Sequence, residues 1–240
     1  MSGRRFKTAF ILGAGLGMRL RPLTTCCPKP LLEIRGYPII AHVMDHLIGA
    51  GVDRFIVNTH HCPEKYSNRF PDKQWRGCPV IFRHEPVLLD TGGGLKNIED
   101  ILAGDDAIFC YNGDIISSIP LERLIIEHEK KRPDATLALR SEGELLNVNI
   151  SENGDIKDIR NILGNPGIKS CLFTGIYAVE TSFLQFLEAN RCESIITAFV
   201  KRIKEKPGAL KGVVIDEGMW HDIGSLETYN SLKNSPVWGT

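Results

Sequence analysis

Seven short apolar runs, rich in β-branched residues, recur along the chain and constrain its fold more than any other feature. They are TAFIL at 8–12, RFIVNT at 54–59, PVIFRH at 79–84, AIFCYN at 107–112, ATLALR at 135–140, CLFTGIYAV at 171–179 and KGVVID at 211–216. Two helix-length amphipathic stretches, 38–51 and 93–104, lie between the early runs, and each ends at a glycine, as helices commonly do. Strand, helix and strand at this spacing predict parallel βαβ units with helices on both faces of a sheet.

The pattern changes after Pro133. The segment 145–159, LLNVNISENGDIKDI, predicts two strands joined at Asn153-Gly154, because this dipeptide is typical of hairpin turns. We therefore expect an α/β fold, a three-layer sandwich with a mixed, mostly parallel central sheet. No repeat, low-complexity tract or Gly/Ser linker interrupts the 240 residues, which predicts a single domain over 1–240.

Composition and charge narrow the classes of function. Apolar residues make up 42% of the chain, but no apolar run reaches the length of about 18 residues that a membrane span needs, so we expect no membrane association. Lysine and arginine total 29, as do aspartate and glutamate, which leaves no general basic field and predicts no nucleic-acid partner. The seven cysteines form no C-x-x-C pair, and the basic start of the chain precedes too short an apolar run for a secretory signal. These features predict a cytoplasmic protein.

The first strand leads directly into a segment that combines glycine, proline and basic residues, FILGAGLGMRLRPLTTCCPKPLLEI at 10–34. In an open α/β sheet, the loop after the first strand is a common phosphate-binding site. Its glycines allow backbone N–H groups to approach a ligand closely, and its prolines stiffen the chain around Lys29. Arg19, Arg21 and Lys29 add positive charge to the same loop. Together these features predict that the segment binds a polyphosphate.

Two well-known phosphate-binding motifs do not describe this loop. The dinucleotide-binding fingerprint needs G-x-G-x-x-G, but Met18 stands where the third glycine would be. The string G-x-x-x-x-G-K-[ST] of P-loop proteins does not occur in the chain. A nicotinamide-dependent oxidoreductase is therefore disfavoured.

The segment LGAGLGMRLRPLT followed by PKPLLEI resembles the signature of the sugar-1-phosphate nucleotidyltransferases. DTGGGLKNI, YNGDI, FTGIY and WHDIGSLETY resemble later sequence blocks of that family, in the same order. The TGGG and NGD motifs, without a C-terminal extension, are most similar to short bacterial members of the N-acetylmuramate-1-phosphate uridylyltransferase type. Mannose-1-phosphate and heptose-1-phosphate guanylyltransferases are close alternatives. Cys26 and Cys27 depart from the polar residues that many relatives have before the P-K-P motif.

The resemblance implies the Rossmann-like nucleotide-diphospho-sugar transferase fold and a Mg²⁺-dependent reaction. An NTP and a sugar 1-phosphate would give an NDP-sugar and pyrophosphate by in-line attack on the α-phosphate. Arg19 would brace the β- and γ-phosphates, and Lys29 would bridge the α-phosphate and the sugar phosphate. Asp114 would be both a catalytic residue and a Mg²⁺ ligand, with Asp222 as the second ligand.

The remaining site residues also follow from the resemblance. Asn112 and Gly175 would border the sugar. The predicted nucleotide-binding residues are Leu12, Gly13, Ala14, Gly15, Glu85 and Gly92. Two other functions stay open: a catalytically silent regulatory homologue, and a cytidylyltransferase that acts on phosphocholine or a phosphonate. The nucleobase, the sugar and the oligomeric state are not specified at this level.

Overall fold

The computed structural model describes residues 5–234, which form fourteen strands and six α-helices in chain order. The strands are β1 Thr8–Leu12, β2 Glu33–Ile34, β3 Tyr37–Pro38, β4 Arg54–Thr59, β5 Gln74–Trp75, β6 Cys78–His84, β7 Ala107–Asn112, β8 Ile115–Ser117, β9 Ala135–Arg140, β10 Val148–Ile150, β11 Ile156–Ile159, β12 Lys169–Glu180, β13 Leu210–Val214 and β14 Trp220–Asp222. The helices are α1 Ile39–Gly49, α2 Pro63–Arg69, α3 Asp90–Lys96, α4 Leu121–Lys131, α5 Ile195–Glu205 and α6 Leu226–Asn234.

Ten of the strands form one mixed sheet in the order β11-β10-β12-β7-β1-β4-β6-β5, and β9 joins β12 to β13 beside this path. The β7-β1-β4-β6 centre is parallel. Among the ten strands of this sheet in the described residues, three are antiparallel to the other seven, namely β5, β11 and β12. The predicted mixed, mostly parallel sheet is therefore confirmed.

Residues on opposite faces of the sheet bury themselves in two separate apolar layers. In β1, Ala9 and Ile11 pack into the layer that α1 contributes to, whereas Phe10 packs on the other face beneath α3 and α5. In β7, Phe109 packs into the layer of α1, and Cys110 packs into the layer beneath α3 and α5. This alternation follows from the two-residue period of a strand and gives the three layers that the sequence predicts. No helix in residues 5–234 has the length and apolar character needed to cross a membrane.

All seven apolar runs form strands, and the predicted hairpin is present. β10 and β11 pair in antiparallel fashion around a turn in which Gly154 has a φ of 76°, a conformation that glycine adopts easily. The predicted helix at 93–104 is wrong in its bounds, because α3 begins at Asp90 and ends at Lys96 before a separate 3₁₀ turn, Glu99–Ile101. The glycines lie inside this helix because the chain at 191–195 packs directly against it.

His46 in α1 makes the stability of the fold sensitive to acid. Its Nε2 contacts the Ile119 carbonyl oxygen at 2.8 Å and must carry the proton, because a carbonyl can only accept. Its Nδ1 then accepts from the Tyr111 hydroxyl at 2.9 Å, so the neutral ring is the form that fits. Burial lowers the pKa of His46, and it also lowers the pKa of the fully buried His128.

We expect the melting temperature to fall as the pH is lowered from about 7.5 to about 5.5, a range around the ordinary histidine pKa of about 6.5. A lowered folded-state pKa means that the unfolded chain takes up protons first, so stability is present above this range and is lost below it. Each histidine can contribute at most about 1.4 kcal/mol per pH unit to the free energy of unfolding. Thermal melts of the wild type and of His46→Gln check this. A slope with pH that is as steep in the variant would contradict the role of His46.

Candidate active site

A cleft of about 520 Å³ opens at the carboxyl ends of the parallel strands β7, β1 and β4. Leu12, the last residue of β1, is paired with Asn112 on one side and Asn58 on the other. All three residues line the cleft, together with the glycine-rich loop that follows β1. A cavity of this size, at the edge where open α/β sheets bind ligands, suits a nucleotide.

The glycine-rich loop is held in place by bonds at its start. The Gly13 N–H donates to Asn58 Oδ1 at 2.7 Å, and its carbonyl accepts from the Tyr66 hydroxyl at 2.8 Å. A Cβ on Gly13 would lie 2.7 Å from the Asn58 carbonyl oxygen, so only glycine fits at this position. Ala14 and Gly15 follow with their backbone along the cleft.

Two of the three basic residues of this segment reach the cleft. Lys29 Nζ lies 2.6 Å from Asp114 Oδ2, and only 9% of the lysine side chain is exposed. Arg19 also lines the cleft and packs against Gly224, where a Cβ would lie 3.1 Å from its Nη1. Arg21 is exposed outside the cleft lining. Arg19 and Lys29 therefore form the cationic side of the cleft.

Asp114 and Asp222 are brought together by a short pair of strands. β8 and β14 are antiparallel with Asp222 opposite Ile115, and the Ile223 N–H donates to the Asp114 carbonyl oxygen at 3.0 Å. Partial removal from water raises the pKa of Asp222, and repulsion by Asp114 raises it further. The positive charges of Lys29 and Arg19 oppose this shift. Two mutually repelling carboxylates beside a nucleotide-sized cleft are suited to a divalent cation.

A second, smaller cavity of about 180 Å³ adjoins the first, and Asn112 lines both. Gly175 has a φ of 77° and lies under the Asn112 side chain, where a Cβ would be 2.6 Å from Nδ2. Trp220 forms part of the wall and donates from Nε1 to the Thr174 carbonyl oxygen at 2.9 Å. Arg160, at the end of β11, also lines this cavity. The two predicted sugar-site residues are thus brought together next to Asp222.

The model of the nucleotidyl transferase family matches residues 8–235 of the chain. The chain belongs to this family. Lys29 and Asp114 line the cleft, and Asp222 lines the adjoining smaller cavity.

Relatives of this chain include longer proteins. It is 31% identical to a mannose-1-phosphate guanyltransferase of Gibberella zeae, over 92% of this chain and 62% of that protein. It is 35% identical to a mannose-1-phosphate guanylyltransferase of Mycobacterium tuberculosis, over 57% of this chain and 38% of that protein. The chain thus spans less than two thirds of the length of these relatives.

Solved structures share the fold of this chain at lower identity. HddC from Yersinia pseudotuberculosis superposes with a TM-score of 0.78 at 21% identity, covering 95% of this chain and 98% of that one. A putative glucose-1-phosphate thymidylyltransferase from Bacillus anthracis gives a TM-score of 0.79 at 22% identity, covering 97% of both chains. These likenesses confirm the predicted Rossmann-like nucleotide-diphospho-sugar transferase fold.

Three of the predicted nucleotide-binding residues lie behind the cleft wall. Glu85 is fully buried and accepts from Asn58 Nδ2 at 2.8 Å and from the Leu89 N–H at 3.1 Å. The Gly92 N–H donates to the Glu193 carbonyl oxygen at 2.8 Å, and the polar groups of Gly13 are bonded as described above. The structure therefore does not bring Glu85, Gly92 or the bonding groups of Gly13 to the cleft. They shape its wall instead.

Five residues from outside the glycine-rich segment line the cleft without having been predicted. They are Asn58, Leu88, Asp90, Thr91 and Cys192. Asn58 had a detectable signal, because it is a polar residue near the end of the apolar run RFIVNT. Asp90 had one in its position just before the TGGG motif. Cys192 had none, because it reaches the cleft only through the packing of the segment before α5 against α3.

Proposed function

We propose that this chain, acting as a single nucleotidyltransferase domain over 1–240, makes an NDP-sugar and pyrophosphate from an NTP and a sugar 1-phosphate. The observation that carries the proposal is the position of Lys29 and Asp114. Their 2.6 Å ion pair lies in the nucleotide-sized cleft, and the second cavity opens beside it at Asn112 and Asp222. Two polyanions bound on either side of this point would meet at the α-phosphate.

The residues of the chain suit a reaction by positioning and charge neutralisation. An oxygen of the sugar 1-phosphate attacks the α-phosphorus of the NTP, and the bond from that phosphorus to the oxygen bridging to the β-phosphate breaks, releasing pyrophosphate. Lys29 is placed to neutralise charge that gathers between the two substrates, and Arg19 to stabilise the departing pyrophosphate. Such a reaction needs no covalent nucleophile on the protein.

Asp114 and Asp222 would hold the Mg²⁺ on which the proposed reaction depends. Lys29 bonds to one oxygen of Asp114, which leaves the other carboxylate oxygen available to a metal ion. No group of three His, Cys, Asp or Glu residues in 5–234 could hold a metal by itself, so substrate phosphate oxygens would supply further ligands. When bound, Mg²⁺ would neutralise and orient the reacting phosphates.

We propose GTP and a mannose-like hexose 1-phosphate as the substrates. Support comes from the relatives named mannose-1-phosphate guanyltransferase, which reach 31% identity over 92% of this chain. A catalytically silent regulatory homologue is the weaker alternative, because Arg19, Lys29, Asp114 and Asp222 are all present around the two cavities. The seven cysteines are free, which favours action in the reducing cytoplasm.

A matrix of the four common NTPs against several sugar 1-phosphates tests the proposal, with released pyrophosphate as the readout. We expect the highest kcat/KM with GTP and mannose 1-phosphate. Phosphocholine and a phosphonate, offered with CTP, test the cytidylyltransferase alternative. Pyrophosphate release from none of the combinations, by a protein that melts cooperatively, would contradict the proposed activity.

Arg19 and Arg21 form a matched pair for testing the cationic side of the cleft. Both lie on the same loop, but Arg19 alone of the two lines the cleft. Arg19→Ala should lower kcat by about 30- to 1,000-fold, because it removes a charged contact to the departing pyrophosphate worth about 2–4 kcal/mol in the transition state. Arg21→Ala should stay close to wild type. Equal losses in the two variants would contradict a specific role for Arg19.

A further inference from the structure

One part of the cleft wall carries none of the basic side chains of the cleft. Arg19, Lys29 and Asp114 occupy the side of the cleft assigned to the phosphates. Leu88, Asp90 and Thr91 line the same cleft from the segment that follows β6. Among the described residues that line the cleft, Asp90 is the one charged side chain outside the phosphate side. An ionised carboxylate there repels phosphate and accepts hydrogen bonds from a donor group.

Asp90 is held in an unusual backbone conformation. Its φ is 60°, a region that residues other than glycine adopt rarely and that often marks a functional position. The Thr91 N–H donates to Asp90 Oδ1 at 2.6 Å, which fixes the direction of the carboxylate. Oδ2 makes no hydrogen bond to any side chain or backbone group within residues 5–234. The carboxylate therefore keeps free acceptor capacity in the cleft.

The segment that carries Asp90 is fixed on both sides. The Leu89 carbonyl accepts from the Glu193 N–H at 3.0 Å, and Thr91 Oγ1 accepts from the Ile195 N–H at 2.8 Å. The buried Glu85 carboxylate also accepts from the Leu89 N–H, so residues on either side of Asp90 are anchored. A recognition group held in this way loses little conformational entropy when it binds a ligand.

A carboxylate in this position can distinguish the four bases by the hydrogen-bond donors and acceptors that they present. Guanine presents two adjacent donors, N1–H and the N2 amino group, which match the two acceptor oxygens of one carboxylate. Adenine and cytosine present a donor next to an acceptor, and uracil presents one N–H between two carbonyl oxygens. Each of these three bases would place at least one acceptor against the carboxylate, which is repulsive.

We infer that Asp90 selects guanine, by accepting hydrogen bonds from N1–H and the N2 amino group of the bound nucleotide. This inference rests on the proposed guanylyltransferase function and names the side chain that would set its base preference. Asp90 would act by binding the base and would take no part in the bond-breaking step.

Asp90→Asn tests the inference through a change of base preference. Asparagine adopts a positive φ more readily than most residues and keeps an Oδ1 that can accept from the Thr91 N–H, so the variant should fold. Its amide offers one acceptor and one donor, which match N1–H and the C2 carbonyl of xanthine. We measure kcat/KM with GTP, ITP and XTP, together with a thermal melt. Asp216→Asn, a change at an exposed aspartate outside the cleft, is the control.

For the wild type we expect ITP, which lacks the N2 amino group, to be a poorer substrate than GTP. In Asp90→Asn the ratio of GTP to XTP usage should fall by about 5- to 150-fold, the discrimination that one good bidentate contact to a base provides. An unchanged GTP to XTP ratio, or an equal loss with every nucleotide in a folded variant, would overturn the role of Asp90. If the wild type releases no pyrophosphate, the proposed function fails, and calorimetric binding of GDP against XDP still tests Asp90 by the same ratio.

Discussion

Replacing Lys29 with alanine should lower kcat by about 30- to 1,000-fold while the protein remains folded. Lys29 Nζ lies 2.6 Å from Asp114 in the larger cavity, and Asn112 lines both this cavity and the smaller one beside it. We expect the α-phosphate and the sugar phosphate to meet beside this ion pair. A charge-assisted contact made mainly in the transition state is worth about 2–4 kcal/mol, which gives this range of rates. Steady-state kinetics and a thermal melt of Lys29→Ala measure both parts of the prediction.

Lys211 provides a matched control for this variant. Its side chain is 14% exposed, close to the 9% of Lys29, and it also forms an ion pair with a single aspartate, Asp155. It lies on β13 and lines neither of the two site cavities. Lys211→Ala should therefore change stability about as much as Lys29→Ala but leave turnover unchanged. A folded Lys29→Ala protein with near-normal turnover would refute the assignment.

Asp114→Asn and Asp222→Asn should each raise the Mg²⁺ concentration needed for half-maximal rate, and chelation should abolish wild-type activity. The two carboxylates belong to segments more than a hundred residues apart, but β8 and β14 place them side by side. Partial removal from water raises the pKa of Asp222, and repulsion by the nearby Asp114 raises it further. A neutral amide is a poorer ligand for a hard dication than a carboxylate, so each change weakens the site.

Titration of rate against Mg²⁺, together with thermal melts, tests the shared metal site. Asp216→Asn is the control, because Asp216 also follows a strand but bonds to Ser141 away from the cleft. A purely structural role for Asp114 and Asp222 predicts lower melting temperatures with an unchanged Mg²⁺ midpoint. That outcome in both variants would refute the metal site.

The fold was predictable from local sequence patterns to a large extent. Apolar runs with a two-residue period and glycine-ended helices are local signals, and all seven runs form strands where they were expected. The helix predicted at 93–104 was misplaced, because α3 begins at Asp90, before its glycines, and ends at Lys96. Those glycines allow α3 to approach residues 191–195, and a Cβ on Gly93 would lie 2.1 Å from the Arg191 carbonyl oxygen. Contacts of such long range in sequence leave no local pattern.

The candidate site also combines residues that local sequence predicts with residues that only tertiary packing places. The phosphate side depends on Arg19 and Lys29, which stand on one short loop, and the cleft is lined by both. The wall that carries Asp90 depends on tertiary hydrogen bonds instead. The resemblance predicts that Glu85 contacts the base, but the structure buries Glu85 under Asn58 and Leu89. Asp90 lines the cleft, and only the packing of α3 against the chain before α5 reveals its position.

The central claim is that one cleft brings a nucleoside triphosphate and a sugar 1-phosphate together at Lys29, Asp114 and Asp222. Incubation with GTP labelled at the α-phosphate, mannose 1-phosphate and Mg²⁺ tests it most directly. We expect the label to move into a nucleotide sugar and an equal amount of pyrophosphate to be released. Label that stays in the triphosphate with every sugar 1-phosphate offered, or that appears only as GMP, would contradict it.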